Sequence, residues 1–167
     1  MNLNIVKRTR KTMKKVLAAL GATLLLAACD TCCEDKAATG GFDINGEATP
    51  GSAAEFHQVI GDTVQFGFDK SSLTHEAQTA LHKQADWLKK WPQTNVVVEG
   101  HCDIRGTTEY NMALGERRAH EVKKFLVGQG IEEKRVETVS YGKEHPVVQA
   151  TTEEAHAKNR RGVTVLR

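Results

Sequence analysis

The period of the hydrophobic pattern changes repeatedly along the chain. Thr63-Val64-Gln65-Phe66-Gly67-Phe68 alternates, which is the period of a strand. Asp69-Lys70-Ser71-Ser72 breaks the alternation as a turn, and Ser72 or Thr74 is placed to cap a helix behind it. Ala77, Leu81, Gln84/Ala85, Leu88 and Trp91 then recur at helical spacing, and Pro92 closes that helix. Val96-Val97-Val98 is a short β-branched run suited to a buried central strand. A second helix is predicted from Tyr110 to Val127, stopped by Gly128 and Gly130. Val136 to Tyr141 reads as a third strand, Thr152 to Lys158 as a short helix and Gly162 to Leu166 as a last strand. This order implies right-handed crossovers and a sheet covered by helices, an α/β fold.

The second helix holds one charge on its apolar side. Leu114, Arg118, Val122 and Phe125/Leu126 share a face, whereas Glu116, Arg117, Lys123 and Lys124 occupy other sides. Arg118 is therefore expected to point inward, and an inward guanidinium needs a carboxylate from the protein or from a ligand. Asp103, in the loop between the Val96 strand and this helix, is the near candidate. A carboxylate and a guanidinium flanking one cleft suit a ligand that bears both an ammonium and a carboxylate.

Upstream of Thr63 the pattern is of another kind. Lys7, Arg8, Arg10, Lys11, Lys14 and Lys15 precede an apolar run from Val16 to Ala28. That run is too short to span a bilayer, which takes about 20 apolar residues, and suits the core of a signal peptide. Met13-Lys14-Lys15 would itself make a signal start, so Met1 and Met13 both stand as candidate first residues. Leu26-Ala27-Ala28-Cys29 resembles a bacterial lipobox, which predicts a lipidated Cys29 as the membrane anchor. The chain then divides into a signal peptide (1–28), a lipidated N-terminus and tether (29–61) and a folded domain (62–167). The tether is rich in Gly, Ala, Thr, Ser, Asp and Glu, with a reach of roughly 30 Å as a coil and about 105 Å drawn straight. Ala53 to Ile60 has enough apolar character to form a short helix or to fold against the domain.

Charge changes the picture once the leader is set aside. The whole chain carries +2, but without the six cations before Val16, 17 cations face 21 acids, a balance of −4. A mildly acidic mature protein argues against a nucleic-acid binder. Of the four cysteines, Cys32 and Cys33 read as extra acylation sites, intermolecular disulfides or plain thiols. His101-Cys102-Asp103 invites a metal or thiol-enzyme reading, but no spaced ligand pattern accompanies it. His101 and Cys102 are adjacent on a strand and should face opposite ways, which leaves no metal, cofactor or catalytic residue expected.

Gly100-His101-x-Asp103-x-Arg105-Gly106, Glu109-Tyr110-Asn111 and Leu114-Gly115-Glu116-Arg117-Arg118-Ala119 together resemble the signature of OmpA-like peptidoglycan-binding domains. Phe66-x-Phe68-Asp69-Lys70, Ser140-Tyr141-Gly142-Lys143-Glu144-x-Pro146 and Lys158-Asn159-Arg160-Arg161 are similar, in the same order, to the lipoprotein branch that works in Tol–Pal systems. The resemblance runs from about Thr63 to the C-terminus. It implies a two-layer α/β sandwich with a mixed sheet in the order β-α-β-α-β-α-β. It implies that Asp103 and Arg118 contact the diaminopimelate of the peptidoglycan stem peptide, Asp103 accepting from its ammonium and Arg118 clasping its carboxylate. Phe68, Asp69, Asn111, Leu114 and Arg161 are the further site residues it suggests. The implied partners are peptidoglycan, a membrane through Cys29 and the Tol proteins TolB and TolA, with the domain facing the periplasm from the outer membrane. Asp30, directly after the cysteine, instead favours inner-membrane retention under the enterobacterial sorting rule. The alternatives are a Tol–Pal protein-interaction module with secondary wall contact, a structural Asp103–Arg118 salt bridge without ligand, and a thiol enzyme built on Cys102.

Overall fold

The computed structural model describes residues 48–167. The expected signal peptide, Cys29, Cys32, Cys33 and the expected tether as far as residue 47 lie outside the described residues. The first element is a helical turn, α1 (Ala53–Glu55), which Ser52 caps by accepting from Glu55 N–H. It continues into a π-helical turn over Phe56–Gly61. Then follow β1 (Thr63–Gln65), α2 (His75–Lys90), β2 (Val96–His101), α3 (Thr108–Gly128), a 3-10 turn at Glu133–Arg135, β3 (Val136–Gly142), α4 (Glu153–Asn159) and β4 (Arg161–Leu166). No helix among the described residues is long and apolar enough to cross a membrane.

The four strands form one mixed sheet in the order β1-β4-β2-β3. β2 and β3 are parallel, whereas β4 runs antiparallel to both β2 and β1. Side chains alternate across a strand, so Val96 and Val98 face the helices while Val97 and Glu99 lie half-buried on the far face. The core joins Leu81, Ala85 and Leu88 of α2 to Ala119, Val122 and Leu126 of α3, over Val64, Val96, Val98 and Val136 of the sheet. This is the expected two-layer α/β sandwich.

Local signals set the helix ends. Thr74 caps α2 by accepting from Ala77 N–H, and Thr107 caps α3 by accepting from Tyr110 N–H. The α3 helix thus starts two residues before the expected Tyr110. The first strand is shorter than its alternation suggested. After Gln65 the chain keeps one bond, Phe66 N–H to Arg160 C=O, and then turns its carbonyls away from the sheet.

The folded body begins upstream of the expected boundary at Asp62. Phe56 is 1% exposed and packs against Trp87, with ring centroids 4.9 Å apart. Glu55 accepts from Trp87 Nε1 at 2.7 Å, and Gln84 donates from Nε2 to Gly61 C=O at 2.7 Å while accepting from Thr164 Oγ1 at 2.9 Å. Residues 53–60 were expected to form a short helix or to fold against the domain, and they do both, fixed onto α2 by one aromatic and one carboxylate. Trp87→Phe keeps the ring packing and removes the bond to Glu55. It should lower stability by about 1–2 kcal/mol, read as a shift in urea midpoint at unchanged m. An unchanged midpoint would show that the segment is not part of the cooperative unit.

One backbone approach positions the functional region. A Cβ on Gly100 would lie 1.9 Å from Gly115 C=O, and a Cβ on Gly115 would lie 2.3 Å from Ser140 Oγ. Two facing glycines let α3 rest directly on β2, which brings the next turn of the helix, with Arg118, under the end of that strand.

Candidate functional site

Beyond the end of β2 a cleft of about 190 Å³ opens among the 66–70 turn, the 102–107 loop, the first turns of α3 and the start of β4. Phe68, Asp69, Cys102, Asp103, Arg105, Gly106, Tyr110, Asn111, Leu114, Arg118 and Arg160 line it. Six of the seven expected site residues are therefore brought together. Arg161 is the exception. Its side chain donates to Asn159 and His145 carbonyls, and Arg160 takes the place in the cleft. The reason is strand parity: Gly162 and Thr164 are buried towards the helices, and Arg160 is two residues before Gly162. Counting back by twos along β4 would have picked Arg160.

Arg118 points inward as its helical phase requires, and its exposure is 0%. Its partners differ from those expected. Nε donates to Lys70 C=O at 2.9 Å, Nη1 to His101 C=O at 2.8 Å and Nη2 to Gly67 C=O at 3.0 Å. Nη1 also lies 3.4 Å from Cys102 Sγ, and the guanidinium sits 5.2 Å from the Phe66 ring centroid. Backbone carbonyls that leave the sheet at the 67–70 turn and at the end of β2 converge on it, so they satisfy its donors in place of a carboxylate. Burial lowers its pKa, which the nearby Cys102 and Asp103 partly oppose. Arg117 is exposed on the other side of α3, its guanidinium 5.9 Å from the Tyr110 ring centroid.

Asp103 is 5% exposed and pairs with other arginines. Oδ2 meets Arg105 Nη2 at 2.5 Å, Arg105 Nε at 3.2 Å and Arg160 Nη1 at 3.3 Å, while Oδ1 accepts from Arg105 N–H at 3.2 Å. Burial pushes the Asp103 carboxyl up, but the hydrogen bonds from Arg105 and Arg160 outweigh it and hold the group below its ordinary value. Glu153 at the start of α4 braces both arginines, 3.2 Å from Arg105 and 2.9 Å from Arg160.

The remaining lining residues shape the loops. Asn111 donates from Nδ2 to Arg105 C=O at 2.7 Å and to Thr107 C=O at 3.0 Å, pinning the loop that carries Asp103. Asp69 adopts φ 55° and accepts from Tyr110 hydroxyl, whose pKa this bond raises. Phe68 is 58% exposed at the mouth, with Arg105 4.2 Å above its ring. Lys143 donates to Gly106 C=O at 2.9 Å and closes the far side of the loop.

Cys102 and His101 part company as expected. The Cys102 thiol lines the cleft, donates to Asn111 C=O at 3.4 Å and has its pKa raised by burial, so it stays protonated and a poor nucleophile. The His101 ring stacks on Tyr141 at 5.4 Å, outside the cleft. Burial, with Arg161 and His145 nearby, pushes its pKa down to about 4.

Comparisons with known proteins place this geometry. The OmpA family profile matches residues 65–160. The chain belongs to the OmpA family. It is 46% identical over 156 residues to the peptidoglycan-associated lipoprotein of Mesorhizobium japonicum, covering 93% of each chain. It is 43% identical over 153 residues to that of Haemophilus influenzae, covering 92% of this chain and 97% of the relative. The crystal structure of the peptidoglycan-associated lipoprotein from Burkholderia pseudomallei superposes with TM-score 0.62 at 40% identity, over 64% of this chain and 90% of that one. The C-terminal domain of Helicobacter pylori MotB shares the fold, at TM-score 0.60 and 21% identity over 64% of this chain and 84% of that one. Within this family the chain is a non-enzymatic protein with an OmpA-like domain.

Proposed function

We propose that the cleft binds peptidoglycan non-covalently through the diaminopimelate of its stem peptide. In the same reading a lipid on Cys29 ties the outer membrane to the wall, with the domain in the periplasm and TolB and TolA as protein partners. The observation that carries the reading is one cleft that sets the nearly buried carboxylate of Asp103 among three arginines, beside an exposed Phe68. Such a wall offers an anionic partner for an ammonium and cationic partners for a carboxylate within one small volume. The names of the relatives support wall association and lipid attachment, and the basic-apolar-Cys29 order supports the anchor.

Co-sedimentation with isolated diaminopimelate-type wall sacculi tests the proposal. The full chain should pellet with the wall. Asp103→Ala should weaken binding by about tenfold or more, because it removes a charge-assisted hydrogen bond and leaves the arginines unbalanced. Arg117→Ala, on the outer side of α3, should bind as the unaltered protein does. If folded Asp103→Ala pellets normally, the cleft is not the wall site.

A further inference from the structure

The β3 strand closes one side of the sheet. It pairs with β2 alone, and its other edge is open. Backbone groups alternate in direction along a strand, so those on the open edge can be named. Asn95 C=O accepts from Arg167 N–H, which turns Asn95, Val97 and Glu99 towards β4 and Val96, Val98 and Gly100 towards β3. Val98 and Gly100 lie opposite Thr138 and Ser140, and in a parallel ladder such residues bond to the neighbours of the one they face. Glu137 and Val139 therefore serve β2, and the N–H and C=O groups of Thr138 and Ser140 point outward. Outside the sheet ladder, neither residue makes a backbone–backbone hydrogen bond among the described residues.

An open edge is a template for another strand, and folded proteins blunt it with short strands, lysines, prolines or inward charges. The β1 strand, at the other edge, is three residues long. The β3 strand has seven, with no Lys and no Pro. Its one charge, Glu137, is already neutralised by Arg167 at 2.5 Å. The Thr138 and Ser140 hydroxyls are tied to Glu116 and to Met112 C=O on α3, so they do not cap the edge. Open space flanks the strand on both faces, lined by Lys123, Lys134 and Val136 on one and by Val97, Val139 and Val165 on the other.

We propose that β3 pairs antiparallel with β3 of a second copy of this chain, about a two-fold axis at Val139. The strand is self-complementary in that register. Thr138 faces Ser140 and Ser140 faces Thr138, and their outward N–H and C=O groups satisfy one another. Val139 meets Val139 at the closely spaced, non-hydrogen-bonded position, where cross-strand side chains touch. Glu137 meets Tyr141, so no charge opposes a like charge. A two-fold contact uses the same patch on both copies, and a strand that matches itself supplies it. The seam is short beside the roughly 1,200–2,000 Å² that a stable complex buries, so the pair is weak between free molecules. It gains where many copies share one surface, because the effective concentration rises. No residue of β3 lines the cleft, so pairing leaves the cleft of each copy open, and the inference stands apart from the wall reading.

Cysteine cross-linking tests the register. The full chain, with Cys32→Ser and Cys33→Ser to lower the background, is purified in detergent and oxidised with copper phenanthroline. Val139→Cys should form a disulfide-linked dimer about tenfold or more faster than Val165→Cys, which sets an exposed thiol on the same face of β4. Glu137→Cys and Tyr141→Cys should link to each other when mixed, and neither to itself. Val139→Lys, added to both and checked for fold by circular dichroism, puts two ammonium groups on the axis and should abolish the mixed product. If Val139→Cys links no faster than Val165→Cys, β3 does not pair with itself. If Glu137→Cys links to itself as readily as to Tyr141→Cys, or the mixed product survives Val139→Lys in a folded protein, the antiparallel register about Val139 is wrong.

Discussion

Arg118→Met should lower the stability of the domain by about 4 kcal/mol and abolish wall binding at the same time. Met keeps an unbranched apolar stem but is shorter and supplies no donors. The carbonyls of Gly67, Lys70 and His101 then lose their partner, and each buried acceptor left unmet costs about 1–3 kcal/mol. Only the His101 bond is fully buried, so water can relieve part of the loss at the 67–70 turn. Removing a fully buried charge also returns some desolvation energy. The balance still falls on the side of destabilisation, since three carbonyls depend on one side chain. Binding should fail because the same bonds hold the turn that presents Phe68 and Asp69. Urea unfolding measures the first effect and wall sedimentation the second. A stability change below about 1 kcal/mol would mean that the carbonyls find water readily and that Arg118 does not organise the turn.

Gly100→Ala should be comparably severe. The added methyl would stand 1.9 Å from Gly115 C=O, a contact with helix backbone and not with the end of a flexible side chain. No rotamer change relieves it. The α3 helix must lift off the sheet along the turn that carries Leu114, Asn111 and Arg118. Overpacking usually costs about 1–3 kcal/mol, and a clash between two backbones should reach or exceed the top of that range. Gly128→Ala is the matched control, because a Cβ there meets nothing within 4 Å. Comparing the two by thermal unfolding isolates the close approach from the general effect of glycine on the unfolded chain. Equal losses for both variants would show that the helix–sheet contact is not tightly set.

Those two positions show what was legible in the sequence and what was not. The inward phase of Arg118 follows from its spacing to Leu114 and Val122, because a helix leaves little freedom in which residues share a face. The partners of Arg118 do not follow, because they are backbone carbonyls, and a carbonyl is present at every residue. Only the turn geometry after Gln65 selects Gly67 and Lys70. The sheet covered by helices was readable from periodicity, whereas the mixed sheet and most of the cleft followed from the resemblance that the spaced motif carries. Arg161 rests on the resemblance alone, whereas strand parity counted back from Thr164 and Gly162 reaches Arg160, just before β4 begins. Arg105 was visible in the motif, but its pairing with Asp103 depends on how the loop bends back, as shown by Arg105 N–H donating to Oδ1 of the same carboxylate. The apolar character of 53–60 allowed a short helix or packing on the domain, but the boundary fell at Asp62 because Phe56 and Glu55 act as isolated anchors and make no repeating pattern.

The packing of that segment bears on mechanical load. If the protein is held at its N-terminus and grips the wall at the cleft, tension enters through residues 48–62 and leaves near Phe68 and Asp103. Between those points the force runs along β1, from Thr63 towards Gln65, parallel to the strand. Its bridges to β4 at Thr63–Val163, Val64–Gly162 and Gln65–Arg161 are then sheared together instead of being unzipped one by one. Before the strand is loaded, Phe56 must leave its place against Trp87, and Glu55 must release the indole N–H. Forced unfolding is governed by the unfolding rate and not by the equilibrium. Under pull, the short stretch ahead of β1 is therefore expected to yield slack before the strand is sheared.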